Sequence, residues 1–378
     1  MQKKKISAGS ILIFLAMLGI GFAVGGVIGI FVGRLARLGV WYGVLALVLF
    51  YLAVILQIVV HEAGHMIFGL LTGYRFVSFR VLSLMLIREE GKFKCKRFKL
   101  AGTGGQCLMA PPDLKDGKIP VMLYNFGGAL LNLLVSALTF ALYLLRRDAP
   151  LSGGFLFIFS LVGVAYALMN GIPMKMGLVS NDGKNAVSLG GDSGAIRAWW
   201  IQLKVNEMTA RGVRLREMPE AWFALPGEEE LRNPITAAIA VLACSRAMDA
   251  RDFTAAKAIA DKLLSGAYAV ANLHRSLLAL ELIFIELVGE GRQEVIESYR
   301  TKQLRSYTRA MQNNPSVIRV AFAQALRQGD AQEAEKKLAL FEKVARSYPY
   351  PSDIASEAEL IAYAREQAGQ RNEKGERV

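Results

Sequence analysis

Long apolar runs separated by short basic connections fill the first half of the chain. Residues 6–33, 38–60, 119–145 and 149–174 carry no Asp, Glu, Lys or Arg. A helix needs about 20 apolar residues to cross a hydrocarbon core of about 30 Å, and each run is long enough. The pattern predicts four transmembrane helices, over about 8–33, 38–68, 119–145 and 150–172. A signal peptide would have a shorter apolar core and a small-residue cleavage site, so the first run reads as a retained helix. Its Gly21, Gly25, Gly26 and Gly29 form a small-residue face suited to close helix packing. Trp41 and Tyr42 open the second run as interfacial anchors.

Between the second and third runs the pattern changes. Residues 75–87 are rich in Phe, Val and Leu, Glu89-Glu90-Gly91 signals a turn, and residues 92–100 partly alternate Lys or Arg with Phe93, Cys95 and Phe98. This predicts a β-hairpin over about 75–105, lying against the membrane. Residues 191–232 read as a linker, and the helix carrying Trp199 and Trp200 suits either an interfacial or an ordinary linker role. From 233 to 378 the apolar spacing is helical. Arg251-Asp252-Phe253-Thr254-Ala255-Ala256, Glu290-Gly291-Arg292-Gln293-Glu294-Val295 and Gly329-Asp330-Ala331-Gln332-Glu333-Ala334 recur at 39-residue spacing. Each segment lies between two helical stretches, which predicts stacked helical hairpins of tetratricopeptide-like type, although that signature's period is about 34. The expected fold is thus an all-α polytopic membrane protein with about four transmembrane helices and a small β-hairpin. Its core covers 1–190, and a cytoplasmic helical-repeat domain covers 233–378.

Composition agrees with a membrane protein that also has a soluble part: 53% of residues are hydrophobic. The net charge of +13 raises nucleic acid as a partner, but the basic residues lie beside apolar spans, where they more often mark the cytoplasmic face. Ten Lys or Arg lie between 75 and 118, against Arg34 and Arg37 in one opposite loop and Arg146 and Arg147 in the other. The positive-inside rule therefore places residues 75–118 and both termini in the cytoplasm of a cell (inner) membrane, and no nucleic acid is expected. Cys95, Cys107 and Cys244 make no disulfide framework and no CxxC pair. They read as reduced thiols, with metal ligation by Cys95 and Cys107 as the lesser alternative.

One stretch carries chemistry. Ile58-Val59-Val60-His61-Glu62-Ala63-Gly64-His65 contains H-E-x-x-H, and the chain has only three histidines. On a helix, i and i+4 share a face, so His61 and His65 can hold one metal ion. Glu62 can take a proton from a metal-bound water. At 1.5 Å per residue, residues 38–61 span roughly 35 Å, which sets the pair toward the inner side of the bilayer. A catalytic zinc usually has three protein ligands, and Asp182 follows the fourth span on that same side. His274 sits in the repeats and reads as an ordinary histidine. Gly102-Thr103-Gly104-Gly105 lacks the Lys-Ser/Thr and the strand–loop–helix frame of a phosphate cradle. Asn125 and Asn132, in the third span, suit interhelical hydrogen bonding.

Over residues 38–190 the chain resembles the site-2 protease family of intramembrane zinc metalloproteases. His61-Glu62-Ala63-Gly64-His65 matches the family's first motif. Asn181-Asp182-Gly183 is similar to its Asp-Gly motif, and Asn170-Gly171-Ile172-Pro173 resembles the Asn-x-x-Pro before it. Gly128-Ala129-Leu130-Leu131-Asn132 is similar to a Gly-Pro-x-x-Asn loop, with Ala129 where Pro is usual. Gly102 to Gln106 resembles a Gly-rich loop near the family's membrane-associated strands. The resemblance implies one Zn2+ per chain held by His61, His65 and Asp182, Glu62 as the catalytic base, and Asn132 helping to stabilise the oxyanion. It implies hydrolysis of a peptide bond within or near a transmembrane helix of a membrane-protein or signal-peptide-like substrate, and a protein partner for the repeats. A catalytically inactive relative acting as scaffold or chaperone is the alternative, though metal binding alone would not need Glu62. A transporter or lipid-modifying metalloprotein fits less well, because the other spans carry no charge for an ion path.

Overall fold

A computed structural model describes residues 8–37, 39–89, 91–98, 103–176 and 179–373. In chain order it has helices α1 (Ala8–Ala36) and α2 (Val40–Leu71), then strands β1 (Arg75–Val81), β2 (Leu84–Glu89), β3 (Lys92–Arg97) and β4 (Gly105–Ala110). Helices α3 (Val121–Arg146) and α4 (Pro150–Gly171), the short strands β5 (Lys175–Met176) and β6 (Val179–Ser180), and α5 (Asp182–Leu189) follow. Then come α6 (Ser193–Ala210), α7 (Pro234–Asp249), α8 (Phe253–Ser265), α9 (Asn272–Val288), α10 (Gln293–Tyr299), α11 (Lys302–Ala310), α12 (Pro315–Arg327), α13 (Ala331–Ala345) and α14 (Pro351–Glu373). These elements form two compact units. One contains Met1–Val81, Gly104–Pro112 and Pro120–Asp192, and the other Leu82–Thr103, Asp113–Ile119 and Ser193–Val378.

In the first unit, three helices are long and apolar enough to cross a membrane among the described residues: Val40–Leu71, Val121–Arg146 and Leu151–Gly171. The first expected span, over about 8–33, coincides with the 29-residue helix α1. Gly39, at φ 141°, makes the tight link from α1 to α2, a backbone region that favours glycine. The unit is turned inside out relative to a water-soluble protein. Phe22, Ile30, Trp41, Leu47, Tyr51, Leu134, Leu138 and Leu145 face outward, whereas Gln57, His61, Glu62, His65, Asn132, Ser136 and Ser160 are buried. A broad apolar exterior around a polar interior suits lipid and not water. Ile28, Ala53, Ile158, Phe159 and Val162 pack α1, α2 and α4 together. Helix α2 ends where Thr72 N–H and Tyr74 N–H both donate to Gly69 O, with Gly73 at φ 87°.

The hairpin is present but differently divided. Residues 75–87 are not one strand: Leu82, at φ 54°, turns the chain and separates β1 from β2. β2 and β3 form the hairpin around Gly91, with Leu84 opposite Arg97 and Glu89 opposite Lys92. β1 pairs instead with β4, antiparallel, from Arg75 opposite Ala110 to Val81 opposite Gly105, with a bulge between Phe76 and Ser78.

In the second unit, the three recurring segments each make a turn between two helices: α7 and α8, α9 and α10, α12 and α13. Arg251, Gly291 and Gly329 occupy the left-handed backbone position in each turn. Asp252 and Asp330 then cap α8 and α13 by accepting from Ala255 N–H and Glu333 N–H. Leu263, Leu278, Phe284, Ile318 and Phe322 lie in the shared apolar core. Helix α6 buries Ile196, Ile201, Leu203 and Val205, and its Trp200 meets Trp222 edge-on.

Candidate metal centre

The site is assembled from α2, α3, β4 and the start of α5, all within the first unit. Helix α2 carries His61 and His65 one turn apart, with ring centroids 4.8 Å apart. Both are buried, as is Glu62. Gly64 faces Gly127 and Gly128 of α3 so closely that a Cβ on Gly64 would lie 2.7 Å from the Gly127 carbonyl carbon and 2.8 Å from Gly128 Cα. This backbone approach brings α3 against the histidines.

Asp182 is the first residue of α5 and is held there by Asn181. The Asn181 Oδ1 accepts from Lys184 N–H at 3.0 Å and from Met174 N–H at 2.9 Å. Its Nδ2 donates to Met169 O at 2.7 Å and Ile172 O at 2.5 Å. One side chain thus caps α5 and ties it to the end of α4. Gly183 has no room for a Cβ against Gly171 O, so the Asp-Gly pair supplies both the carboxylate and the close approach.

Hydrogen bonds fix the tautomers of both imidazoles. His65 Nδ1 lies 2.9 Å from the Tyr124 carbonyl, which only accepts, so Nδ1 carries the proton. His61 Nδ1 lies 2.8 Å from Asn132 Oδ1. The Asn132 amide orientation follows from its other end, which faces two acceptors, Gln57 O at 3.1 Å and Gln57 Oε1 at 2.7 Å. Asn132 Oδ1 therefore accepts from His61 Nδ1–H. Both Nε2 lone pairs are left to converge with Asp182 Oδ2: His61 to Asp182 at 3.0 Å, His65 to Asp182 at 3.3 Å, and His61 to His65 at 3.2 Å.

Three acceptor atoms meet here with no proton assigned between them, an arrangement that calls for a cation. In a tetrahedral zinc site with bonds of about 2.0–2.1 Å, ligand atoms stand about 3.3 Å apart. The donor set fits zinc in chemistry and in spacing, and His61, His65 and Asp182 are the residues that could hold a metal ion among those described. Cys107 is buried nearby, and burial followed by the Glu62 charge pushes its thiol up; the ligand atoms that converge are those of His61, His65 and Asp182.

Glu62 lies beside the cluster, with the Cys107 backbone N–H as a hydrogen-bond partner. Tyr124 Oη–H donates to Cys107 O at 3.2 Å, which fixes β4 at that point. A Cβ on Gly105 would overlap the Glu62 carboxylate. Asn125 makes a bond within its own helix, to Val121 O at 2.7 Å, whereas Asn132 reaches across to α2. Sequence reading missed Gln57. It is fully buried four residues before His61, and a lone polar residue on the buried face of an apolar helix was the available signal.

Fold and site together define a polytopic membrane protein with a His-His-Asp centre, its histidines buried, and an adjacent buried glutamate. The family model for peptidase family M50 matches residues 49–346, and the chain belongs to that family, the site-2 protease family of membrane metalloproteases. The match takes in His61, Glu62, His65, Asn132 and Asp182. No curated protein and no solved structure matches the chain.

Proposed function

We propose that the chain is an intramembrane zinc metalloendopeptidase that cleaves a transmembrane or signal-peptide-like segment of a membrane protein. The convergence of His61 Nε2, His65 Nε2 and Asp182 Oδ2 within 3.0–3.3 Å, with both Nδ1 atoms committed elsewhere, carries this reading. One zinc ion per chain, held by these three residues, supplies a Lewis acid and an acidified water at neutral pH.

The other steps belong to the chain. Glu62 takes the proton of the attacking water and delivers it to the leaving nitrogen. The Cys107 N–H keeps the Glu62 carboxylate turned toward the site, and Gly105 leaves it room. Burial of both histidines and Glu62 limits water at the reacting bond. A helical substrate must unwind to expose that bond, and its freed backbone groups then need partners that lipid cannot give. Strand edges within residues 75–110 supply them by β-addition.

The orientation follows from charge: the basic residues between 75 and 118 lie on the cytoplasmic side of a cell membrane, with both termini. Helix α1 is the first of four spans, and the tetratricopeptide-like hairpins of the second unit bind a protein partner or substrate. The test is cleavage of candidate single-span substrates by the wild type and by Glu62→Gln. Loss of cleavage with zinc retained supports proteolysis, and zinc binding with no cleavage by either protein leaves the scaffold alternative.

A further inference from the structure

The Gln57 side chain is fully buried at membrane depth and hydrogen-bonded at both ends of its amide. Its Nε2 donates to Phe159 O of α4 at 2.9 Å, so its Oε1 must face Asn132. The Asn132 Nδ2 gives one N–H to Gln57 Oε1 and the other to Gln57 O. Both Asn132 N–H groups are thereby used. What remains is its Oδ1, 2.8 Å from His61 Nδ1. The chain of contacts runs from α4 through α2 to α3 and back to the site on α2. Space for it is made by Gly163 of α4, where a Cβ would overlap Ser136 Oγ and stand 2.5 Å from Gln57 Nε2.

We infer that Gln57 is a positioning residue: it locks the Asn132 amide so that Asn132 orients His61 and presents the His61 Nε2 lone pair to the metal. Asn132 then serves the imidazole and not the oxyanion, because it has no N–H left to donate. This rests on the metal-centre reading above. The cost of a buried glutamine in an apolar span is offset by hydrogen bonds at both ends of its amide, and disturbing it removes the nearer of the two acceptors that orient the Asn132 amide, leaving only the main-chain Gln57 O at 3.1 Å. Hydrogen-bond partners behind metal-ligating histidines typically change metal affinity about 10–100-fold.

The experiment measures zinc affinity of the full chain in detergent, by competition with a chromophoric chelator. Gln57→Met and Asn132→Leu are expected to weaken zinc about 10-fold or more. Gly163→Ala, whose added methyl displaces the Gln57 head without touching His61 or Asn132, is expected to do the same. Gly26→Ala, with nothing within 4 Å of its Cβ, is expected to match the wild type. An oxyanion role for Asn132 would instead leave affinity within about twofold of wild type in all of these, and that result overturns the inference. If Gln57→Met fails to accumulate, Gly163→Ala and Asn132→Leu decide. A wild type that binds no zinc would remove the metal-centre reading itself, a different outcome from variants that bind as well as the wild type.

Discussion

Asp182 Oδ2 stands 3.0 Å from His61 Nε2, although 121 residues separate them in the chain. Three local devices create that meeting: the one-turn spacing of the histidines on α2, the glycine crossing of α2 and α3, and the Asn181 cap that starts α5 at Asp182.

Asn181→Leu removes four hydrogen bonds, three that tie it to the end of α4 and the residues just after it and one that caps α5. Loss of the cap, and of partners for buried backbone groups, is expected to cost about 1–3 kcal/mol of stability. Asp182 loses its fixed approach at the same time. Zinc competition and thermal unfolding of the detergent-solubilised protein should both register the change. An unaltered zinc affinity would show that α5 does not need this side chain to place Asp182.

Gly105→Ala adds a methyl where the Glu62 carboxylate now lies. The atoms nearest to that methyl belong to Glu62 and Ile58, and none to His61, His65 or Asp182. Turnover is therefore expected to fall about 100-fold or more, in line with loss of a general base, while zinc content stays at the wild-type level. Steady-state cleavage paired with metal analysis checks this. Full activity would mean that Glu62 has freedom to move away from β4.

The second unit should respond to pH through Asp353. Burial, followed by the charges of Glu357 and Asp249, pushes its carboxyl up to about 7. Burial also raises Glu357, against the lowering effect of Arg319. A carboxyl whose folded value lies above its unfolded value holds its proton more tightly when folded. Its contribution is then complete below the unfolded value, near 4, and is lost as pH rises toward 7. The unfolding midpoint of the full chain is expected to be lower at pH 8 than at pH 6. Asp353→Asn is expected to raise the pH 8 midpoint and to flatten the slope. A wild-type midpoint that rose over this interval would contradict the sign.

How much could be read from the sequence depended on how local each feature is. His61 and His65 are legible because one helical turn converts spacing into geometry. The three inter-helix turns near 251, 291 and 329 are legible because similar segments recur between helical stretches, and two of them carry a capping aspartate, Asp252 and Asp330. The pairing of β1 with β4 was not, because residues 75–87 look like one strand until Leu82 turns the chain, and the true partner starts at Gly105. Asn132 was visible as a residue, but the direction of its amide depends on Gln57 in another helix, and no local pattern encodes that. The inward-facing polar residues of α2 and α3 also share their runs with lipid-facing leucines, so burial could not be assigned by periodicity alone.

The most direct measurement is zinc stoichiometry of the purified full chain by mass spectrometry, wild type against single Ala replacements of His61, His65 and Asp182. One zinc per wild-type chain, lost or strongly depleted in each replacement, is expected. A wild type without zinc, or an Asp182→Ala protein that keeps its zinc as tightly as the wild type, would contradict the three-residue centre.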